Sequence, residues 1–140
     1  MAGSPLVEQL CQRLKAPAGY RDLAVLTCRY HGFSQHINRR DADTITQILL
    51  ALDCLRKPDR FEEFLSACTA NIEAYTSLDP DETSDELAEQ LSAIDLMRQA
   101  AEVIRSVDAA SIAKGQTDKS LVKQDILDAR GAAVADFFAQ

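Results

Sequence analysis

The segment CRYHGFSQH, residues 28–36, holds both histidines of the chain, His31 and His36, with Cys28 beside them. Imidazole and thiolate are the common ligands of zinc, and imidazole is the common general base. A helical zinc pair needs an i, i+4 spacing on one face. His31 and His36 lie roughly 140° apart around a helix and face different ways. Cys28 and His31 can share a face, but two ligands do not complete a tetrahedral site. The expectation is therefore a polar helix end. Asp41 and Asp43 in RRDAD have the spacing of a magnesium-holding pair on a strand. At a helix start the same residues act as a cap and as dipole partners, which is the reading adopted for them. GQTDKS, residues 115–120, faintly resembles a phosphate loop, but Asp118 stands where glycine should precede the lysine. GAAVA, residues 131–135, suits close helix approach, either within the chain or across a homodimer seam. No Ser–His or Cys–His arrangement has a supporting third group. Taken singly, these residues make no self-contained active site.

The elements that must position them read as helices throughout. Ser4-Pro5 is a cap and first-turn proline, followed by Leu6, Leu10 and Leu14 on one face. Ala16-Pro17 breaks that helix. A second runs from Ala18 to Phe33 with Leu23, Leu26, Tyr30 and Phe33 on a face. Asp41 or Asp43 caps a third, with Ile45, Ile48, Leu49, Leu52 and Leu55 as its stripe. Lys57-Pro58 opens a fourth, with Phe61, Phe64, Leu65, Cys68, Ile72 and Tyr75 in helical register. SLDPDETSD is the longest loop candidate. A fifth helix spans Ser84 to Val107, with Leu87, Leu91, Ile94, Ala101 and Ile104 inward. A short one ends at Gly115. A last one runs from Lys119 to Phe138, with Val122, Ile126, Ala129, Ala133 and Phe137 inward. No alternating strand is present. The fold class expected is all-α: a bundle of six or seven helices with short connections, one helical domain over 1–140.

The totals agree with that class. Five glycines and four prolines disfavour a turn-rich β fold. The 140 residues can bury a core without disulfides or metal. Cys11, Cys28, Cys54 and Cys68 form no CxxC pair and each falls in an apolar helical pattern, so buried free thiols are expected. No apolar run reaches the ~20 residues of a membrane span, and the N-terminal stretch lacks the pattern of a signal peptide. A cytoplasmic protein without a membrane partner is expected. Residues 1–60 carry nine Lys/Arg against six Asp/Glu; residues 61–140 carry six against sixteen. The first part can meet a polyanion and the second repels one.

Several blocks together resemble a known family. LVEQLCQRLKAP, YRDLAVLTCRYH and above all DCLRKPDRFEEFLSAC are similar to the C-terminal part of bacterial tRNA nucleotidyltransferase, the CCA-adding enzyme of the HD-domain type. The closing LDARGAAVADF is similar to that family's last helix. The resemblance implies a parent enzyme that builds the CCA 3′ end of tRNA from CTP and ATP with Mg2+, its transfer carboxylates lying in an N-terminal head. It also implies, for the full-length family only, a divalent metal at an HD site. In this chain Gly32 stands where that family's aspartate follows the histidine, and Asn71 stands where an aspartate is common. His31 is then the remnant of an HD-type site edge, and the chain begins just after the remaining ligands. No catalytic residue, no metal site and no cofactor are expected in this chain. What the resemblance leaves is a helical body and tail that helps hold tRNA, with the rest of the parent enzyme as partner. The candidate RNA contacts are Arg13, Lys15, Arg29, Arg39, Arg40, Arg56, Lys57 and Arg60. The competing expectation is a stand-alone helical interaction or dimerisation module that has lost the RNA role.

Overall fold

The computed structural model describes residues 3–78 and 84–139. Among them are seven α-helices and one 3-10 turn and no strand: α1 (Gly3–Arg13), α2 (Ala18–Ser34), the turn Ile37–Arg39, α3 (Ala42–Ala51), α4 (Pro58–Leu78), α5 (Ser84–Ser106), α6 (Ala109–Gly115) and α7 (Val122–Phe138). The all-α class read from periodicity is the observed one. Most of the SLDPDETSD loop lies outside the described residues.

The packing follows the apolar spacing. α5 is central and meets α2, α3, α4, α7 and the 3-10 turn. It presents Ala93, Ile94, Met97, Ala100, Ala101 and Ile104, all buried. The alanines keep its surface low, so bulky neighbours approach closely. α4 supplies Phe61, Phe64, Leu65, Cys68 and Ile72, with the rings of Phe61 and Phe64 stacked at 6.5 Å between centroids. α3 adds Ile45, Leu49 and Leu52, and α7 adds Val134. Leu23, Leu26, Tyr30 and Phe33 of α2 pack against this cluster from one side. Arg98 of α5 clamps Glu62 of α4 with Nε 3.1 Å from Oε1; both are surface groups, so the pair adds little stability.

Local chemistry sets the helix ends. The Asp41 carboxylate accepts from Thr44 N at 2.8 Å and Thr44 Oγ1 at 2.7 Å, capping α3. Asp108 caps α6 the same way, from Ser111 N at 3.0 Å. The termini of α1 and α3 are alike. Lys15 and Asp53 both adopt left-handed backbone, with φ of 53° and 59°. Ala16 N then bonds Cys11 O and Lys15 N bonds Gln12 O; Cys54 N bonds Leu49 O and Asp53 N bonds Leu50 O. That double pattern is the Schellman ending, normally built on glycine.

Several expected contacts differ. Leu6 and Leu14 are 67% and 68% exposed, and Leu10 is also exposed. α1 packs chiefly on α2, so its inward side is the one carrying Ser4 and Cys11, with Gly3 set against Cys28. Tyr75, expected inward on α4, is 65% exposed. α7 starts at Val122 rather than Lys119, because the Asp118 carboxylate holds Ser120 N at 2.9 Å in a turn. Its buried positions are Gly131 and Val134; Val122, Ile126, Ala129, Ala133 and Phe137 are only half-buried. A Cβ at Gly131 would meet Asp43 Oδ1 at 2.9 Å, so this small residue serves the close crossing of α3 and α7. Of the cysteines, Cys54 and Cys68 are buried, whereas Cys11 and Cys28 are partly exposed; all four are free.

Two outcomes follow from the helix ends. Lys15→Gly should stabilise the chain by roughly 0.5–1 kcal/mol, because a side chain in left-handed backbone costs about 1–2 kcal/mol and glycine's extra unfolded-state freedom returns part of that. Lys15→Val should destabilise it, and urea denaturation of the pair would expose the error if both behaved alike. The Asp41 and Asp108 carboxyls are held below the usual carboxylate range, by the Thr44 N–H and by the Ser111 hydroxyl respectively. A depressed folded-state value contributes stability above the unfolded value, lost as pH falls through the folded one. Stability should therefore drop below about pH 4. Asp41→Asn, which caps as well without ionising, should be near neutral at pH 7 and make that acid loss shallower in thermal melts.

Candidate nucleic-acid interface

Seven of the eight basic candidates fall at the two ends of α2, a helix roughly 25 Å long, and the eighth, Arg29, is exposed between them on α2 itself. At its C-terminal end, the Arg40 guanidinium lies over the Phe33 ring, 6.0 Å from the centroid. Arg39 reaches Glu89 of α5 at 3.5 Å, and Asn38 shares the same carboxylate oxygen at 3.4 Å. Arg39 and Arg40 stay exposed, so these contacts orient them without removing them from water.

At the N-terminal end of α2 the grouping is tighter. The first turn of α2 (Pro17, Tyr20) faces the α3–α4 corner (Arg56, Lys57, Arg60) across a groove of about 570 Å3. Asp53 organises the corner. Its carboxylate accepts from Arg56 Nε at 2.8 Å and Arg56 Nη2 at 3.2 Å, and Arg60 stands 3.6 Å away. The hydrogen bonds from Arg56 hold the Asp53 carboxyl below the usual range, against the opposing effect of burial, with Arg60 and Lys57 adding to the pull. Arg56 nevertheless leaves 82% of its side chain in solvent. Lys57 makes no ion pair among the described residues and is exposed. Arg13 and Lys15 sit at the end of α1, immediately before Pro17. The sequence reading missed Tyr20, 73% exposed on the groove wall. The available signal was an aromatic residue in the first turn of α2, beside Pro17 and off the Leu23–Phe33 stripe.

The other chemical candidates have structural roles. His31 Nδ1 lies 3.0 Å from the Thr27 carbonyl, which the Nδ1–H tautomer donates to, and the ring is exposed. His36 precedes the 3-10 turn. A Cβ at Gly32 would meet nothing within 4 Å. Lys119 Nζ donates to the Ala113 carbonyl at 3.2 Å and the Gln116 carbonyl at 3.4 Å, closing the end of α6 rather than facing a phosphate. Among the described residues no three His, Cys, Asp or Glu side chains are grouped to hold a metal ion. No helix among the described residues is long and apolar enough to cross a membrane.

The chain is similar in sequence to several curated bacterial proteins. The multifunctional CCA protein of Methylobacillus flagellatus is 32% identical over 129 residues, which cover 92% of this chain and 29% of that protein. That of Cupriavidus pinatubonensis is 38% identical over 130 residues, again 92% of the chain and 29% of the relative. That of Teredinibacter turnerae is 44% identical over 77 residues, 55% of the chain and 19% of the relative. The chain thus spans less than a third of the length of these curated relatives. No family model matches the chain, and no solved structure matches it. The matches to the Methylobacillus and Cupriavidus proteins, at 92% of the chain each, span most of α1 to α7, and this chain is related to a C-terminal portion of the bacterial CCA-adding tRNA nucleotidyltransferases.

Proposed function

We propose that this chain is a helical fragment, or truncated relative, of a tRNA nucleotidyltransferase whose part is to hold tRNA rather than to transfer nucleotides. The observation that carries the reading is the match of 92% of the chain to multifunctional CCA proteins at 32% and 38% identity. The mechanism is positional. Cations at the two ends of α2 contact phosphates spaced along an RNA backbone. Nucleotide transfer, its Mg2+ and any HD-site metal belong to the rest of the parent enzyme, which is the natural partner of this chain in the cytoplasm.

A second reading, a helical interaction module without an RNA role, draws on two observations. Arg39 and Arg56 are already paired to Glu89 and Asp53, and α1 turns Leu6, Leu10 and Leu14 outward.

Titration of the isolated chain with tRNA at two salt concentrations separates the readings. On the first, affinity falls steeply with salt, and the triple change Arg39→Ala, Arg40→Ala, Arg56→Ala lowers the slope of log K against log salt by roughly 2. Unchanged tRNA affinity in the triple variant would refute the basic contacts. Absence of tRNA binding at low salt would leave the interaction module.

A further inference from the structure

The groove between α2 and the α3–α4 corner differs from the surface around Arg39 and Arg40 in kind. It has an exposed aromatic ring, Tyr20, on one wall and the unpaired amine of Lys57 on the other. Its volume of about 570 Å3 falls within the ~300–1,000 Å3 of sites that enclose a small molecule. The same walls carry Asp59 and Glu63. Arg56 and Arg60 are both committed to Asp53. The local balance of charge therefore favours one phosphate at Lys57 and disfavours a run of them, as a duplex backbone would present. An exposed tyrosine on one wall of a groove and an amine without an ion pair on the other suit the other way RNA is held, with an unstacked base on an aromatic ring and its phosphate on an amine.

We infer that the groove formed by Tyr20, Lys57 and Arg56 binds one unpaired ribonucleotide, its base stacked on the Tyr20 ring and its phosphate at Lys57. The inference rests on the RNA-holding reading and names the form of RNA taken at this end of α2. Double-helical RNA, whose bases are stacked within the duplex, does not use the groove.

The chain contains no tryptophan, so Tyr20→Trp places a single indole reporter on the groove wall. The full chain carrying it is titrated with a short single-stranded adenosine–uridine oligonucleotide and with a blunt RNA duplex of equal length. Single-stranded RNA should quench the indole and the duplex should not. In otherwise unaltered chain, Tyr20→Ala should weaken oligonucleotide binding about tenfold, Tyr20→Phe should retain it, and Lys57→Gln should weaken it. Circular dichroism and a thermal melt confirm that each variant is folded. Absence of quenching, equal quenching by duplex, or equal losses in the Ala and Phe variants overturns the inference. A parallel mobility-shift assay with intact tRNA keeps the two levels apart. If tRNA binds while the indole stays silent, the groove assignment falls and the RNA-holding reading stands. If the oligonucleotide quenches while tRNA does not bind, the reverse holds.

Discussion

The left-handed backbone at Asp53 is the constraint on which the basic corner of the molecule depends. It ends α3 with the doubled carbonyl bonds to Leu49 and Leu50 and turns the chain so that α4 can start at Pro58. Leu49 and Cys54, which flank the turn, are both fully buried, so the corner is anchored in the core. The same residue turns its carboxylate to Arg56 and Arg60. One position thus sets backbone direction, core closure and the placement of the basic corner. Asparagine and aspartate tolerate this conformation better than other residues that have a side chain, and only aspartate adds the charge that organises two arginines.

The distribution of ion pairs separates positioning from binding. Arg56 and Arg39 are each tethered to a carboxylate, yet both keep most of their surface in water. A tethered guanidinium loses less side-chain freedom on meeting a phosphate than a free one, and it also brings a competing negative charge. Lys57, without such a tether, has the full unit charge to offer. The acidic excess falls on the second part of the chain, from Glu62 onward, yet Glu63 lines the basic groove and Glu89 pairs with Arg39, so carboxylates interleave with the cations at both ends of α2.

Helix order and helix type were legible from apolar spacing, because α2 to α5 each bury a stripe against the same cluster. The start of α3 was legible because a short polar residue stands before its stripe: of the two candidates, Asp41 and Asp43, Asp41 is the cap, whereas the Asp108 cap of α6 was not read. Two further features were not legible. The Schellman endings at Lys15 and Asp53 use no glycine, so composition carried no sign of them. The inward side of α1 was misread because a leucine stripe is normally buried, and here α2 covers the adjoining side instead. The candidate site was half legible: the basic residues could be named, but which of them share a groove depends on α2 meeting the α3–α4 corner. Tyr20 gained meaning only from that meeting, since an isolated aromatic near a helix start has no pattern of its own.

Gly3 lies so close to α2 that a Cβ there would come within 2.8 Å of the Cys28 sulfur. The first turn of α1 therefore packs tightly on the Cys28 side of α2, although that thiol stays partly exposed. α1 packs chiefly on α2 and gives no residue to the buried cluster that holds Met97 and Phe64. A residue larger than glycine at position 3 would have to push either that sulfur or the whole helix aside, so the spacing of the first two helices is written into one missing side chain.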